Sequence, residues 1–460
     1  MNKVVTRNLI NKQIKFEDQQ KDGNQPIGYN FKTLSREIDA YKNLLESHGA
    51  KKGESAIIGR PPGITQTALV FACLELGVSL AIIDYSRGDC FNSYKYMDPK
   101  TNIILPIEYF IVYNREDTDK FNFFEKHCEK TICISEFEKQ KDYTPNNEVY
   151  ADSDTIIMKC TSSGTTGTPK KVEHTHNFFH DLIKRNSTFF DKNVGLAFNL
   201  NHGSSLATYF FPALYSRNVE KFVNLVPFGT DEVAYIDRLK NFRLDHLMFP
   251  YKHYLDVIAR INSPQTTYYT LSVIPSSLKG QKYYKDIISI FGSNETSGPV
   301  FVNNINNANF LENSYFKIDD FYKINLIDKS LNVTLPVYNK TIDTNDKFYI
   351  NENGAYIFLG RDDITRINGR NVPKEEYNSI VQKYLDADLV YDYVYQDIYL
   401  AVWKNVENLD TYVKRINSKL NSKSRGKHTI KKYKVIDKKE FLTGVKLDQE
   451  LLREFFRIYP

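Results

Sequence analysis

Long apolar runs are missing from this chain. None approaches the ~18 residues a membrane-spanning helix needs, and Met1-Asn2-Lys3 leads into charges and amides, not an apolar leader core. A cysteine framework is missing as well. Cys73, Cys90, Cys128, Cys133 and Cys160 are odd in number and irregularly spaced. His127-Cys128 with Cys133 lacks the second ligand pair a zinc site requires. These absences argue against a helical membrane span, a disulfide scaffold and a structural zinc site, and they predict a soluble cytoplasmic protein. Strong charge of one sign is lacking overall: 61 Lys/Arg against 56 Asp/Glu leave +5 on 460 residues. The balance is uneven, however. Between Thr411 and Glu440, eleven Lys/Arg stand against two acids, Asp437 and Glu440. Such a run is either a solvated face or a dock for an acidic partner, such as a carrier protein or the phosphates of CoA. Aromatic interleaving is sparse there, so no specific nucleic-acid binding is expected.

What the chain does have is aromatics, 14% of all residues, which offset a modest apolar content of 41% and allow a sizeable core. The length suggests more than one domain. Leu34, Ile38, Tyr41 and Leu45 repeat at helical spacing, with Gly49 as the stop. A strand at 56–58, a helix at 65–76 ended by Gly77 and a strand at 80–84 make a parallel crossover unit. One or two strands are predicted among the segments 103–105, 109–113 and 131–134, a strand and turn at 244–251, and strands at 271–274 and 287–291. Helices are predicted at 177–189, 206–214 (interrupted by Pro212) and 254–261. A β-rich stretch follows, with strands at 323–327, 331–337, 347–350 and 355–359 and a hairpin turn at Asn351-Glu352-Asn353-Gly354. Residues 374–460 read as a small α/β unit. The fold class is α/β.

Thr161-Ser162-Ser163-Gly164-Thr165-Thr166-Gly167-Thr168-Pro169-Lys170-Lys171-Val172 follows an apolar strand. Its glycines allow close backbone approach to an anion, its hydroxyls can donate to phosphate oxygens, and Lys170 adds a point charge. Such a loop suits a polyphosphate. It lacks the Gly-x-x-x-x-Gly-Lys spacing of a Walker loop. The segment Ser162 to Lys170 resembles the phosphate loop of the acyl-adenylate-forming superfamily: acyl- and aryl-CoA ligases, nonribosomal peptide adenylation domains and beetle luciferases. Lys171 stands where that family has glycine, and His176 where it usually has a histidine. Phe291-Gly292-Ser293-Asn294-Glu295 resembles the family's Tyr-Gly-x-Thr-Glu. Thr344-Asn345-Asp346 resembles its Thr-Gly-Asp, and the segment from Gly360-Arg361-Asp362 resembles its hinge region. Lys446, ahead of a terminal helix, matches its C-terminal lysine, with Val445 inserted after Gly444.

The resemblance implies a large N-terminal domain, residues 1–361, with parallel or mixed sheets, flanking helices and a small β-rich subdomain. A mobile lid, residues 362–460, would turn about Asp362. It implies catalytic roles for Thr165, Lys170, Glu295 and Lys446, with Glu295 holding Mg2+. Nucleotide contacts would come from Thr161, Ser162, Ser163, Gly164, Thr166, Gly167, Phe291, Gly292, Asn294, Asp346 and Arg361. His202, Gly203, Ser276 and Gly298 would border the substrate. Asn199 and Asn201 replace the aspartate that amino-acid-activating members place nearby, which points to an acid without an α-amino group. The implied activity is ATP-dependent formation of an acyl-AMP and transfer to CoA or a carrier-protein thiol. Transfer to an amine, or a degenerate nucleotide-binding protein, are the alternatives.

Overall fold

The chain opens with β1 (Lys15–Asp18) and β2 (Ile27–Asn30), and Asn30 caps α1 (Phe31–Ser47) by accepting from the Thr33 amide at 3.0 Å. A computed structural model of the protein describes residues 3–18, 26–59, 63–82, 107–112, 128–162, 170–196, 206–225, 236–237, 239–240, 242–249, 254–270, 274, 276–361, 364–367, 370–392, 397–424, 428–443, 446–447 and 449–458. The expected stripe Leu34, Ile38, Tyr41 and Leu45 is wholly buried. Helix α2 (Ile64–Leu76) is buried on all sides and ends at Gly77, whose φ of 76° only glycine adopts freely.

Strands β3 (Ser55–Gly59), β4 (Ser79–Ala81), β5 (Ile107–Val112), β6 (Cys128–Cys133), β7 (Ile156–Ser162) and β8 (Lys170–Thr175) form one sheet, ordered β6-β5-β3-β4-β7-β8. All its pairs are parallel except β7 with β8. The expected phosphate loop, 161–172, is therefore shorter. Ser162 pairs with Lys170, so the connection is 163–169, and those residues lie outside the described ones. Helix α3 (His176–Asn186) follows directly.

A second sheet contains β9 (Lys192–Leu196), β10 (Val219–Asn224), β11 (His246–Phe249), β12 (Thr267–Thr270) and β13 (Asp286–Phe291), all parallel, with β1 parallel to β10 at one side. Helix α4 (Tyr254–Ile261) falls where the periodicity predicts it. The strand expected at 271–274 lies almost wholly outside the described residues, directly after β12. Thr267–Thr270 is fully buried between β11 and β13, in register with His246 and Asp286, although its side chains are hydroxyl-bearing. In a hydropathy pattern the apolar run at 271–274 outweighs threonine and tyrosine, so β12 itself goes unmarked there.

Past β13 the sheet continues antiparallel through β14 (Phe301–Asn304), β15 (Ser314–Lys317), β16 (Lys323–Ile327), β17 (Ser330–Leu335), β18 (Lys340–Ile350) and β19 (Tyr356–Gly360), ordered β16-β17-β18-β19-β15-β14-β13. The β-rich stretch is thus continuous with the large sheet. Strand β18 begins seven residues before the predicted start at 347. Its polar half, Lys340 to Asp343, pairs with Leu335 to Asn332, and such pairing leaves no apolar mark in sequence. Residues 364–458 carry β20 (Ile364–Ile367) and β21 (Arg370–Pro373), then α5 (Lys374–Gln382), β22 (Ala387–Asp392), β23 (Asp397–Val402), α6 (Leu409–Ser424), β24 (Ile430–Val435), the short β25 (Leu442–Thr443) and β26 (Lys446–Leu447), and α7 (Gln449–Ile458). Strands β22, β23 and β24 form a sheet with its own apolar clusters, one including Val413, Ile416 and Leu420 of α6, the other Leu452 and Phe456 of α7.

One cluster is invisible in the sequence. Arg7 donates to both Glu75 oxygens through Nε (2.9 and 3.0 Å) and through Nη2 (2.6 Å), and to Asp39 through Nη1 (2.6 Å); Lys42 reaches Glu75 at 3.2 Å. All four are buried. The cluster ties the N-terminal segment to α1 and α2, and buried charges are tolerated only when paired in this way.

Candidate active site

A parallel sheet exposes its functional edge at the carboxyl ends of its strands. Leu196, Thr270 and Phe291 end β9, β12 and β13, so positions 202, 276 and 295 all follow strand ends on one edge of one sheet. Three strand spacings separate β9 from β13, about 14 Å. His202 and Gly203 lie outside the described residues; Ser276 opens a 3-10 turn, Ser276–Leu278.

The turn after β13 is held from within. The Ser293 amide donates to Thr296 Oγ1 at 3.0 Å, and that hydroxyl faces the Ser293 and Gly298 carbonyls at 3.1 Å each. A Cβ on Gly292 would stand 2.4 Å from the Gly298 oxygen, so only glycine permits the two strands of the turn to pass. A Cβ on Gly298 would stand 2.7 Å from Leu182 Cδ1 of α3. The structure thus wedges Gly298, expected at the substrate pocket, against α3.

Glu295 sits in this turn, half-buried. Among the described residues its carboxylate has no hydrogen-bond or ion-pair partner. Its charge raises the pKa of three groups from three other segments: Cys160 on β7, His174 on β8 and Asp346 on β18, in each case acting less strongly than burial does. Burial outweighs it at His174 and brings that imidazole down to about 4, so the ring is neutral at neutral pH. At Cys160 burial pushes the thiol up, which makes it inert as a nucleophile.

Asp346 is buried at the β18 bulge, where Asn345 takes a φ of 57°. Arg361 binds it, Nε to Oδ1 at 2.7 Å and Nη2 to Oδ2 at 3.3 Å, and also donates to the Thr344 carbonyl at 2.8 Å. Burial raises the Asp346 pKa, Arg361 and Thr344 lower it, and Glu295 raises it further. A carboxylate offers about four lone-pair sites, so capacity to accept a hydroxyl remains beside the guanidinium. Arg361, expected at ribose or phosphate, is placed on Asp346. Phe291 is half-buried, with ring centroids 5.1 Å from Phe348, 5.5 Å from Phe358, 5.6 Å from Tyr315 and 6.1 Å from Phe301. Its described contacts are those of packing.

The phosphate hairpin meets this turn through a residue not expected at the site. His174 Nε2 lies 2.8 Å from the Asn294 carbonyl. One residue on, the Thr175 amide donates to the Tyr338 hydroxyl at 2.8 Å, at the tip between β17 and β18. The available signal is the period of two: a strand over 170–175 puts 170, 172 and 174 on one face and marks His174 as a neighbour of the phosphate segment. His176, the expected family histidine, is instead buried at the start of α3, where its Nδ1 accepts from the Val5 amide at 3.0 Å.

Ser163, Gly164, Thr165, Thr166, Gly167 and Asp362 lie outside the described residues, as do the side chains of Thr161, Ser162, Lys170 and Lys446. The Lys446 backbone pairs with Thr443 in a two-strand hairpin. Among the described residues no group of three or more His, Cys, Asp or Glu could hold a metal. An unpartnered carboxylate acting on a second, buried one nevertheless fits Mg2+, a cation that takes one or two carboxylates and otherwise phosphate oxygens and water.

Comparison with known proteins bears on the fold. Solved structures of similar fold include an o-succinylbenzoate CoA synthetase from Bacillus subtilis (TM-score 0.68, 16% identity, 97% of this chain and 96% of that one). An anthranilate CoA ligase in complex with anthranoyl-AMP is similar at TM-score 0.65 and 14% identity, over 97% and 95%. McyG A-PCP complexed with phenylalanyl-adenylate gives 0.63 and 14%, over 97% and 94%. No curated protein matches the sequence. Among the described residues no helix is long and apolar enough to cross a membrane. The family model described as AMP-binding enzyme matches residues 21–315, well over half the chain, and the protein belongs to that family.

Proposed function

We propose that the protein activates a carboxylic acid with ATP and passes the acyl group to a thiol. A carboxylate oxygen attacks the α-phosphorus, the bond to the β-phosphate breaks, and pyrophosphate leaves; a thiol sulfur then attacks the acyl carbon and AMP leaves. The observation that carries this reading is Glu295, half-buried and without a partner among the described residues, electrostatically coupled to β7, β8 and β18. Those are the segments on which the phosphate loop and Asp346 stand. Asp346, oriented by Arg361, accepts the ribose hydroxyls. Mg2+ on Glu295 would neutralise phosphate charge. The hydroxyls of the 161–167 segment, Lys170 and Lys446 supply preorganised donors as negative charge spreads at phosphorus.

The lid would be residues 362–460, turning about Asp362 after adenylation to present the Gly369 loop to the acceptor. Arg457 of α7 stands 3.6 Å from Glu312, a contact such a rotation would break. Among the described residues Lys414, Arg415 and Lys419 of α6 and Lys431 of edge strand β24 are exposed and have no ion-pair partner. These exposed cations would suit an acidic acceptor, a carrier protein or the phosphates of CoA. The asparagines at 199 and 201 favour an acid lacking an α-amino group, and the fold neighbour bound to anthranoyl-AMP is compatible with it.

ATP–pyrophosphate exchange across a panel of carboxylic acids tests the reading. Exchange that depends on one class of acid is expected. Tight ATP binding with no exchange for any acid would leave only a nucleotide-binding protein. Discharge of the adenylate into CoA, carrier protein or amines then identifies the acceptor.

A further inference from the structure

We propose that His174 is a positioning residue for Glu295: its Nε2–H holds the Asn294 carbonyl and fixes where the Glu295 turn stands relative to the phosphate hairpin. The proposal rests on the reading of Glu295 as the Mg2+–nucleotide contact. A carbonyl only accepts, so at 2.8 Å the proton belongs to Nε2. Nδ1 is then a bare acceptor, buried and without a partner among the described residues. The ring plane is set by Phe178, stacked at 5.1 Å and 20°, with Phe179 and Tyr338 close by.

Packing alone does not explain an imidazole here. A phenyl ring would fill the same stack without burying two ring nitrogens, one of them unsatisfied. What the imidazole adds is one donor, aimed at the carbonyl of the residue immediately before Glu295. Among the described residues β8 pairs with β7 on one side only, so its own ladder does not link it to the turn. The turn itself is braced internally by Thr296 and by the Ser297 hydroxyl, which donates to the same Asn294 carbonyl at 3.3 Å, and from α3 by Leu182 against Gly298; none of these refers to the phosphate hairpin. The His174 bond sets the distance between the two segments that must grip the same triphosphate.

Two substitutions separate donor from ring. His174→Phe keeps the stack and removes the donor; His174→Gln keeps a donor at the Nε2 position and removes the ring. Three readouts apply: melting temperature, the gain in ATP affinity on adding Mg2+ measured by calorimetry, and kcat and KM in pyrophosphate exchange. His174→Phe should melt close to the parent yet lose about tenfold of the Mg2+-dependent gain and of kcat, with KM for the acid unchanged. His174→Gln should melt lower but keep both within about threefold. The proposal is overturned if the phenylalanine variant keeps the Mg2+ gain, or if the folded glutamine variant loses it as fully. It is also overturned if Mg2+ leaves the parent's ATP affinity unchanged. A parent that binds Mg2+–ATP as described but exchanges with no acid refutes the acid-activation reading and leaves the role of His174 supported by the binding data.

Discussion

Glu295 is the side chain on which stability and activity part company. A half-buried carboxylate with no partner among the described residues, acting against buried Asp346, costs the fold something. Glu295→Gln should therefore melt no lower than the parent, and it should lower the pyrophosphate-exchange rate roughly a hundredfold, the scale of losing one preorganised electrostatic group. A thermal melt and an exchange assay on the same preparation check both halves. Asp346 gives a pH test. Burial raises its pKa and Arg361 opposes that rise, so the carboxylate, which on the proposed reading accepts hydroxyls in its ionised form, takes up its proton at a higher pH than an ordinary aspartate. Arg361→Met removes the opposing cation. The acid limb of ATP binding should move to higher pH, and affinity at neutral pH should drop roughly tenfold, the worth of a hydrogen bond to a charged group. ATP titrations at a series of pH values read both effects.

Elements built from local pattern are legible in the sequence: the α1 stripe, the β7 strand leading into the phosphate segment, the β13 strand with its Gly-x-x-Glu turn, and most of the C-terminal unit. Each is marked by periodicity or a turn residue within ten or so positions. What stays hidden is non-local. β12 is a buried strand written in hydroxyls, β18 owes its length to its pairing with β17, and the His174–Asn294 bond spans two segments 120 positions apart. Arg7, Asp39, Lys42 and Glu75 read as ordinary charges, because no sequence pattern says that α1 and α2 will bury them together. Their pairing carries a prediction at this scale. Glu75→Gln leaves Arg7 and Lys42 buried without their shared anion and should cost about 3–5 kcal/mol, measured as a lower urea midpoint. Lys52→Ala, which breaks an exposed pair with Asp152, should change it by no more than about 1 kcal/mol.

Over the whole molecule, two buried histidines, His174 on β8 and His176 at the start of α3, shape how folding responds to acid. Burial brings both His174 and His176 from an ordinary 6.5 down to about 4. Their folded pKa values are depressed, so between about pH 6.5 and 4 the unfolded chain binds more protons than the folded one, and stability falls as pH falls through that window. His176→Asn, whose side-chain oxygen can still accept from the Val5 amide, should remove up to one proton from that slope. Unfolding free energies of parent and variant across the window give the difference, and parallel slopes would show that His176 does not titrate as its burial demands.

Among the described residues strand β8, which leads out of the proposed phosphate segment, is bonded to another strand along one flank only. Two of the contacts that moor it beyond that ladder are the His174 ring to the Asn294 carbonyl and the Tyr338 hydroxyl to the Thr175 amide. A ribbon moored at two points has a definite resting place without being rigid. If both were cut, the fold would survive but would no longer choose where the ribbon lies, and a bound triphosphate would have to make that choice each time, out of its own binding energy.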